Sequence, residues 1–146
     1  MSATADRLAA LLETVPSRLA GFSDGEASQP RAGGGWSRKE ILGHLIDSAS
    51  NNHQRFVRAR FVPHLDFPRY EQDTWVAAQR YSEESWPDLL NLWLLYNRHL
   101  VHIVRTLPAE CLSHTISIGG GDPVTLQFVA DDYLRHLRHH LDQILP

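Results

Sequence analysis

The sequence predicts an all-α protein, a four-helix bundle. Four segments repeat apolar residues at helical spacing, Gly- and Pro-rich stretches separate them, and each segment carries one apolar stripe of the kind a bundle buries. The first helix runs from about Ala3 to Ala20, with Leu8, Leu11, Leu12, Val15 and Leu19 on its stripe. Pro16 lacks a backbone donor and is expected to kink or split it. Gly21 to Gly35 reads as a linker ending in three consecutive glycines.

The second helix has the clearest start. Ser37-Arg38-Lys39-Glu40 is a capping box, in which the Ser37 hydroxyl accepts from the Glu40 amide and the Glu40 side chain reaches back. Trp36 stands where a staple residue belongs. Ile41, Leu45, Ala49, Asn52 and Phe56 follow down one face, and the helix is expected to reach Arg60 and stop before Pro63. A connection from Phe61 to Tyr81 follows, longer than most in a compact domain, with room for a short helix over Asp73–Gln79. The third helix starts near Ser82 or Ser85, tolerates Pro87 in its first turn and ends at Pro108. Its stripe is Leu89, Leu90, Trp93, Tyr96, Leu100, Ile103 and Leu107. Ser113–Ile118 alternates and reads as a short extended piece, and Gly119-Gly120-Gly121 as a turn. The fourth helix starts between Asp122 and Thr125 and turns Phe128, Tyr133, Leu137, Leu141 and Ile144 inward.

With 146 residues the chain is the size of one domain, 1–146. A chain of this length buries roughly 68–70% of its unfolded surface and needs no disulfide. It has one cysteine, Cys111, which fits a reducing compartment. The opening residues show no basic head followed by an apolar stretch, and no apolar run nears the ~18 residues that span a bilayer. The expectation is therefore a cytoplasmic protein without membrane contact. Net charge is −3 and the only lysine is Lys39, which argues against a phosphate-binding surface and hence against nucleic acid.

Nine histidines are the unusual count. His136 and His140 are four apart on the last helix, so their side chains stack on one face about 6 Å apart, close enough to share a metal ion. His44 lies beside the core face of the second helix. Imidazole nitrogen is the commonest protein ligand for zinc and suits nickel, copper and iron. His44 lies roughly 10 Å from the start of its helix, and the His136/His140 pair roughly 10 Å from the end of theirs. These levels coincide only if the second and fourth helices run antiparallel. That requires an up-down-down-up order with a long crossover, which Phe61–Tyr81 can supply. The same residues have blander uses. A lone histidine beside a core face is more often a packing residue, and an i, i+4 pair arises by chance in a histidine-rich helix. His139 can replace either member of the pair. His99 and His102 form another i, i+3 pair, but with His53, His64 and His114 they read as surface or partly buried structural residues.

Two stretches resemble the DinB-like superfamily of bundle metalloproteins, which includes bacillithiol S-transferases and mycothiol-dependent isomerases. They are Gly35-Trp36-Ser37-Arg38-Lys39-Glu40-Ile41-Leu42-Gly43-His44-Leu45-Ile46-Asp47, and His136-Leu137-Arg138-His139-His140-Leu141-Asp142-Gln143-Ile144, which matches a His-x-x-x-His-x-x-Gln-Ile pattern. The resemblance implies a histidine triad: one ligand on the second helix, His44, and two on the fourth, His136 and His140. It also implies a homodimer and one divalent metal ion, zinc or nickel before iron or manganese.

Three neutral imidazoles leave such an ion its full charge and an open position, the mark of a catalytic site. Water there would have its pKa lowered towards ~7, and a thiol would be deprotonated. No catalytic side chain is expected beyond the metal centre, and Cys111 reads as structural. Asp47 and Gln143, one turn beyond His44 and His140, are candidates for orienting a ligand. The first functional expectation is a metal-dependent transferase that adds a low-molecular-weight thiol to a small-molecule electrophile, or a related metal-dependent hydrolase. The alternative is a non-catalytic metal-binding or stress-associated bundle. A carboxylate-bridged di-iron protein is disfavoured, because no predicted helix carries Glu-x-x-His.

Overall fold

The computed structural model describes residues 1–146, the Ser2 side chain excepted. Four long helices dominate: α1 (Ser2–Leu19), α3 (Arg38–Arg58), α5 (Trp86–Arg105) and α6 (Leu126–Ile144). Two short helices, α2 (Asp24–Ser28) and α4 (Gln72–Gln79), and three strands, β1 (His64–Phe67), β2 (Thr115–Ile118) and β3 (Val124–Thr125), occupy the connections. Both α3 and α1 pack against α5 and α6. The buried stripes of the four long helices meet in one core, centred on Leu8, Leu45, Phe56, Trp93, Leu100 and Leu137. No helix among the described residues is long and apolar enough to cross a membrane.

Local chemistry explains the boundaries. Ser37 accepts from the Glu40 amide while Glu40 accepts from the Ser37 amide, so the reciprocal cap starts α3. Ser23 and Glu26 repeat that motif and start α2 inside the stretch expected to be linker. The glycines on both sides mask a helix of only five residues, and the same Ser-x-x-Glu signal would have revealed it. α2 also carries Asp24, whose carboxylate takes Lys39 Nζ at 3.0 Å and the Trp86 amide at 2.8 Å, tying α2 to α3 and α5. These two donors hold the Asp24 carboxyl below its usual range.

Pro16 does not split α1, which continues to Leu19. Proline removes one donor, towards the carbonyl four residues back, and so close to the helix end the following bonds still close. Phe128, expected to face inward, is 53% exposed at the start of α6. It falls outside the arc of Tyr133, Leu137, Leu141 and Ile144, and Val129 fills the core position beside it.

The all-α expectation is corrected by a small three-stranded sheet. β1 runs parallel to β2, with His64 opposite Thr115 and Phe67 opposite Ile118, and β3 runs antiparallel to β2. The alternation in Thr115–Ile118 was legible, but its partner was not. β1 is four residues of mixed polarity following Pro63, paired with a segment 51 positions away. The sheet fastens the α3–α5 connection to the α5–α6 connection. Gly119 closes it with φ +59°, its amide donating to the Phe67 carbonyl at 2.9 Å. A Cβ there would meet Arg69 at 2.8 Å, so glycine serves both backbone and packing.

Candidate metal centre

His44 sits one and a half turns into α3 and is only 1% exposed. The Arg38 Nε donates to the Ile144 carbonyl at 3.1 Å, which fastens the first turn of α3 to the last turn of α6. That contact sets His44 opposite His136 and His140. His44 Nε2 lies 3.1 Å from His136 Nε2, and the three ring centroids are 4.5–5.0 Å apart in edge-on arrangements. One nitrogen from each of the three rings falls within 4.8 Å of the others.

The donor set fits a metal. Tetrahedral coordination at roughly 2.0–2.1 Å places ligand nitrogens about 3.4 Å apart, close to the separation between His44 and His136. The rings are also in the protonation state a metal requires. Burial first, and the neighbouring imidazoles second, push the His44 pKa down to about 3. Burial followed by the charge of His140 lowers His136 to about 4, and burial lowers His140.

The surroundings orient the rings. His140 Nδ1 donates to Gln143 Oε1 at 2.9 Å, while Gln143 Nε2 donates to His139 Nε2 at 3.2 Å. The two contacts together fix the amide and place the His140 proton on Nδ1, so its Nε2 lone pair is free. His136 Nδ1 has Ser48 Oγ at 3.5 Å. Trp36 lays its ring 5.1 Å from that of His44, so the expected staple residue also covers the site. His44 Nδ1 is buried without a partner.

The other expected residues divide. Gln143 contacts His140. Asp47, expected to orient a ligand, bonds none of the three histidines: its Oδ1 accepts from Tyr81 Oη at 2.6 Å and Gln79 Nε2 at 2.8 Å, because Tyr81 packs against α3 directly beside it. That packing depends on Gly43, where a Cβ would lie 2.1 Å from the Tyr81 ring. His139 is exposed and does not displace either member of the pair. His99 meets His53 across α3 and α5 rather than His102. His64 bonds Thr115, His114 Nδ1 donates to the Ala59 carbonyl, and the buried Cys111 thiol donates to the Arg60 carbonyl.

A cavity of about 310 Å³ opens beside His44 and His136. Ser48, Asn52 and Arg55 line it from α3, Asp132 and Tyr133 from α6, and Arg69 and Tyr70 from the loop after β1. A second hollow of similar volume reaches His140 and Gln143 between Trp36 and Asp73. Sequence reading missed Ser48, Asn52 and Arg55, although their spacing from His44 (four, eight and eleven residues) marks one face of a helix.

Comparison with protein-family models matches residues 2–144 to the DinB superfamily. The chain belongs to the DinB superfamily. Among solved structures this DinB-superfamily chain is similar to YfiT from Bacillus subtilis, described as a probable metal-dependent hydrolase with an unusual four-helix bundle topology. The two share 22% identity over 96% of this chain and 83% of YfiT, with a TM-score of 0.83, so the four-helix-bundle fold is common to both. Comparison with curated proteins found no match.

Proposed function

We propose that this chain binds one divalent metal ion through His44, His136 and His140 and acts as a metal-dependent enzyme on a small molecule, either a hydrolase or a transferase of a low-molecular-weight thiol. One observation carries the reading: three uncharged imidazoles converge within 4.8 Å of one another, two of them, His44 and His136, at the wall of a cavity of about 310 Å³. The description of YfiT as a probable metal-dependent hydrolase supports it. An all-nitrogen donor set favours zinc or nickel over harder, oxygen-preferring ions.

A bound divalent ion would make water or a thiol a better nucleophile near neutral pH. The chain's own residues prepare for that. Gln143 keeps the His140 proton away from the centre, and Ser48 stands where it can do the same for His136. Trp36 and the α3–α6 contact shield His44 from water. Tyr70 and Tyr133 remain neutral phenols, since burial pushes Tyr70 up to about 12 and Tyr133 higher, so the cavity wall carries no competing phenolate; the Tyr133 hydroxyl is spent on Asn97 Oδ1 at 2.6 Å.

We also read the bundle as up-down-down-up, with the crossover between α3 and α5. Thr4 bonds Asp131 and Arg18 reaches Pro146, which aligns α1 with α6. Arg38 reaches Ile144, which opposes α3 to α6. Arg105 pairs with Asp6 and Trp86 with the Leu19 carbonyl, which opposes α5 to α1.

Elemental analysis of the purified protein tests the centre. One zinc or nickel per chain is expected in the wild type and less than a tenth of that in His44→Ala and His140→Ala. Metal retained in both variants would remove the triad. Turnover then separates the activities. Thiol-dependent consumption of an electrophile that a chelator abolishes identifies the transferase, and thiol-independent ester or amide cleavage that a chelator abolishes identifies the hydrolase. Stoichiometric metal with neither activity would favour a non-catalytic metal-binding bundle.

A further inference from the structure

Arg55 is a buried cation with no carboxylate in salt-bridge contact. It is 9% exposed, and among the described residues no carboxylate pairs with it. Its Nη1 donates weakly to Asn52 Oδ1 at 3.4 Å, its Nε is sealed from solvent with no acceptor, and no protein acceptor engages Nη2. The face of the Phe67 ring lies 5.1 Å below the guanidinium carbon and fixes its plane. A guanidinium taken out of water is costly unless an anion or a full set of acceptors replaces the lost hydration. Here no carboxylate touches the guanidinium and its acceptor set is incomplete; Asp132 acts on it only through space and is held by Arg135, and the group lines the cavity that reaches His44 and His136.

The arrangement continues along α3. His44, Ser48, Asn52 and Arg55 follow one face of the helix and line the same cavity, and Asn52 bridges Ser48 and Arg55 through its amide. Eleven residues of helix separate His44 from Arg55, roughly 16 Å of rise, and a long side chain leans back towards the helix start. The guanidinium therefore stands on the order of 10 Å from the triad.

Resting on the metal-centre reading above, we infer that Arg55 is the recognition site for a carboxylate on the substrate, held at the far end of the cavity while the reacting group reaches the histidines. The planar fork of arginine matches a carboxylate. Asp132 lines the same cavity and its charge disfavours a dianion, so a carboxylate is preferred to a phosphate. The substrate class is thus an elongated small molecule with a carboxylate at one end and a hydrolysable or electrophilic centre about 10 Å away. Arg69 is exposed at the cavity rim and is not the anchor.

Suberic acid monohydroxamate, which carries a metal-binding hydroxamate at one end and a carboxylate at the other, is the probe, and its methyl ester is the control. Calorimetric titration of the zinc-loaded protein should show the acid binding at least ten-fold tighter than the ester, the effect expected of one charge-assisted contact. That ratio should fall to about one in Arg55→Met, persist in reduced form in Arg55→Lys, and be unchanged in Arg69→Ala. Equal binding of acid and ester by the wild type, or a ratio that survives Arg55→Met, would overturn the assignment. A second readout needs no metal and no folded Met variant: suberate added to metal-free protein should shift the Arg55 Nε–H resonance, and an unmoved resonance would also overturn it. If zinc analysis fails but that resonance moves, the metal reading falls and the anion site stands. If zinc is held but acid and ester bind alike, the reverse is true.

Discussion

Two histidine clusters share α3, and only one resembles a metal centre. Near the start of the helix, His44 meets His136 and His140. Near its end, His53 meets His99 and Tyr96, the ring centroids 5.2 Å and 5.7 Å away. The spacing of rings is similar, so proximity does not separate them. The fate of the nitrogens does. In the first cluster Gln143 occupies His140 Nδ1 from behind, leaving nitrogens to converge in front. In the second, His53 Nδ1 is taken by the Tyr96 hydroxyl at 3.0 Å, and His99 is open to solvent. A histidine cluster becomes a candidate ligand set when one nitrogen of each ring is left to converge on a shared point, and a partner behind a ring, as Gln143 is behind His140, helps to aim it.

The largest test of that contrast is acid. An unfolded His44 takes a proton below about pH 6.5, whereas the folded one resists until about pH 3. Between these values the unfolded chain binds the extra proton, so stability is full above pH 6.5 and is lost as pH falls through the window. His44 alone should cost the metal-free protein about 2 kcal/mol between pH 6.5 and pH 4.5, and roughly 4 kcal/mol over the whole window. Urea melts at pH 7 and pH 4.5 would measure it. His44→Leu should reduce the dependence, leaving the share carried by His136 and His140, and His53→Leu should leave most of it; equal slopes in all three proteins would contradict the contrast.

Next in size is Gly43→Ala. The new methyl would enter the Tyr81 ring, which is 3% exposed and cannot retreat into solvent without giving up its bond to Asp47. A loss of about 3 kcal/mol in the chemical-denaturation free energy is expected, at the upper end of overpacking costs. His53 lies nearer the end of α3 and Tyr96 on α5, away from Tyr81, and their contact should survive. A Gly43→Ala protein of wild-type stability would mean that Tyr81 is free to move.

The two clusters also show what could be read from the chain alone. The His136/His140 pair was legible because helical spacing is a local property: the two share a face whatever surrounds them, and the Ser37–Glu40 cap fixes where His44 falls on α3, while joining His44 to the pair rested on the resemblance to DinB-like proteins. The four long helices were legible for the same reason. What depended on distant partners was not. Asp47 stood one turn from His44 and invited a role there, but Tyr81 and Gln79, more than thirty residues on, claim it. β1 has no pattern of its own and exists by pairing with β2. The His53–His99 contact joins α3 to α5, so no local spacing announced it.

Gln143→Leu sharpens the contrast at smaller cost. The apolar isostere removes the acceptor from His140 Nδ1 and frees the ring to turn. Loss of a partner behind a metal-bound histidine typically weakens binding 10–100-fold. Competition with a zinc-sensitive dye should register that loss, while the denaturation midpoint of the metal-free protein changes little. Unaltered zinc affinity would show that packing, rather than this bond, orients His140.

Tyr96→Phe is the smallest change and the converse experiment. It deletes the hydroxyl that occupies His53 Nδ1 and nothing else. Both side chains are half-buried, so water can replace the lost partner, and the stability cost should be about 1 kcal/mol or less. Zinc content should stay at the wild-type value, because freeing one nitrogen gives His53 no third donor, and His99 faces solvent. A rise to two zinc ions per chain in this variant would mean that the hydroxyl alone had kept the second cluster from binding metal, and the distinction between the clusters would then rest on a single hydrogen bond.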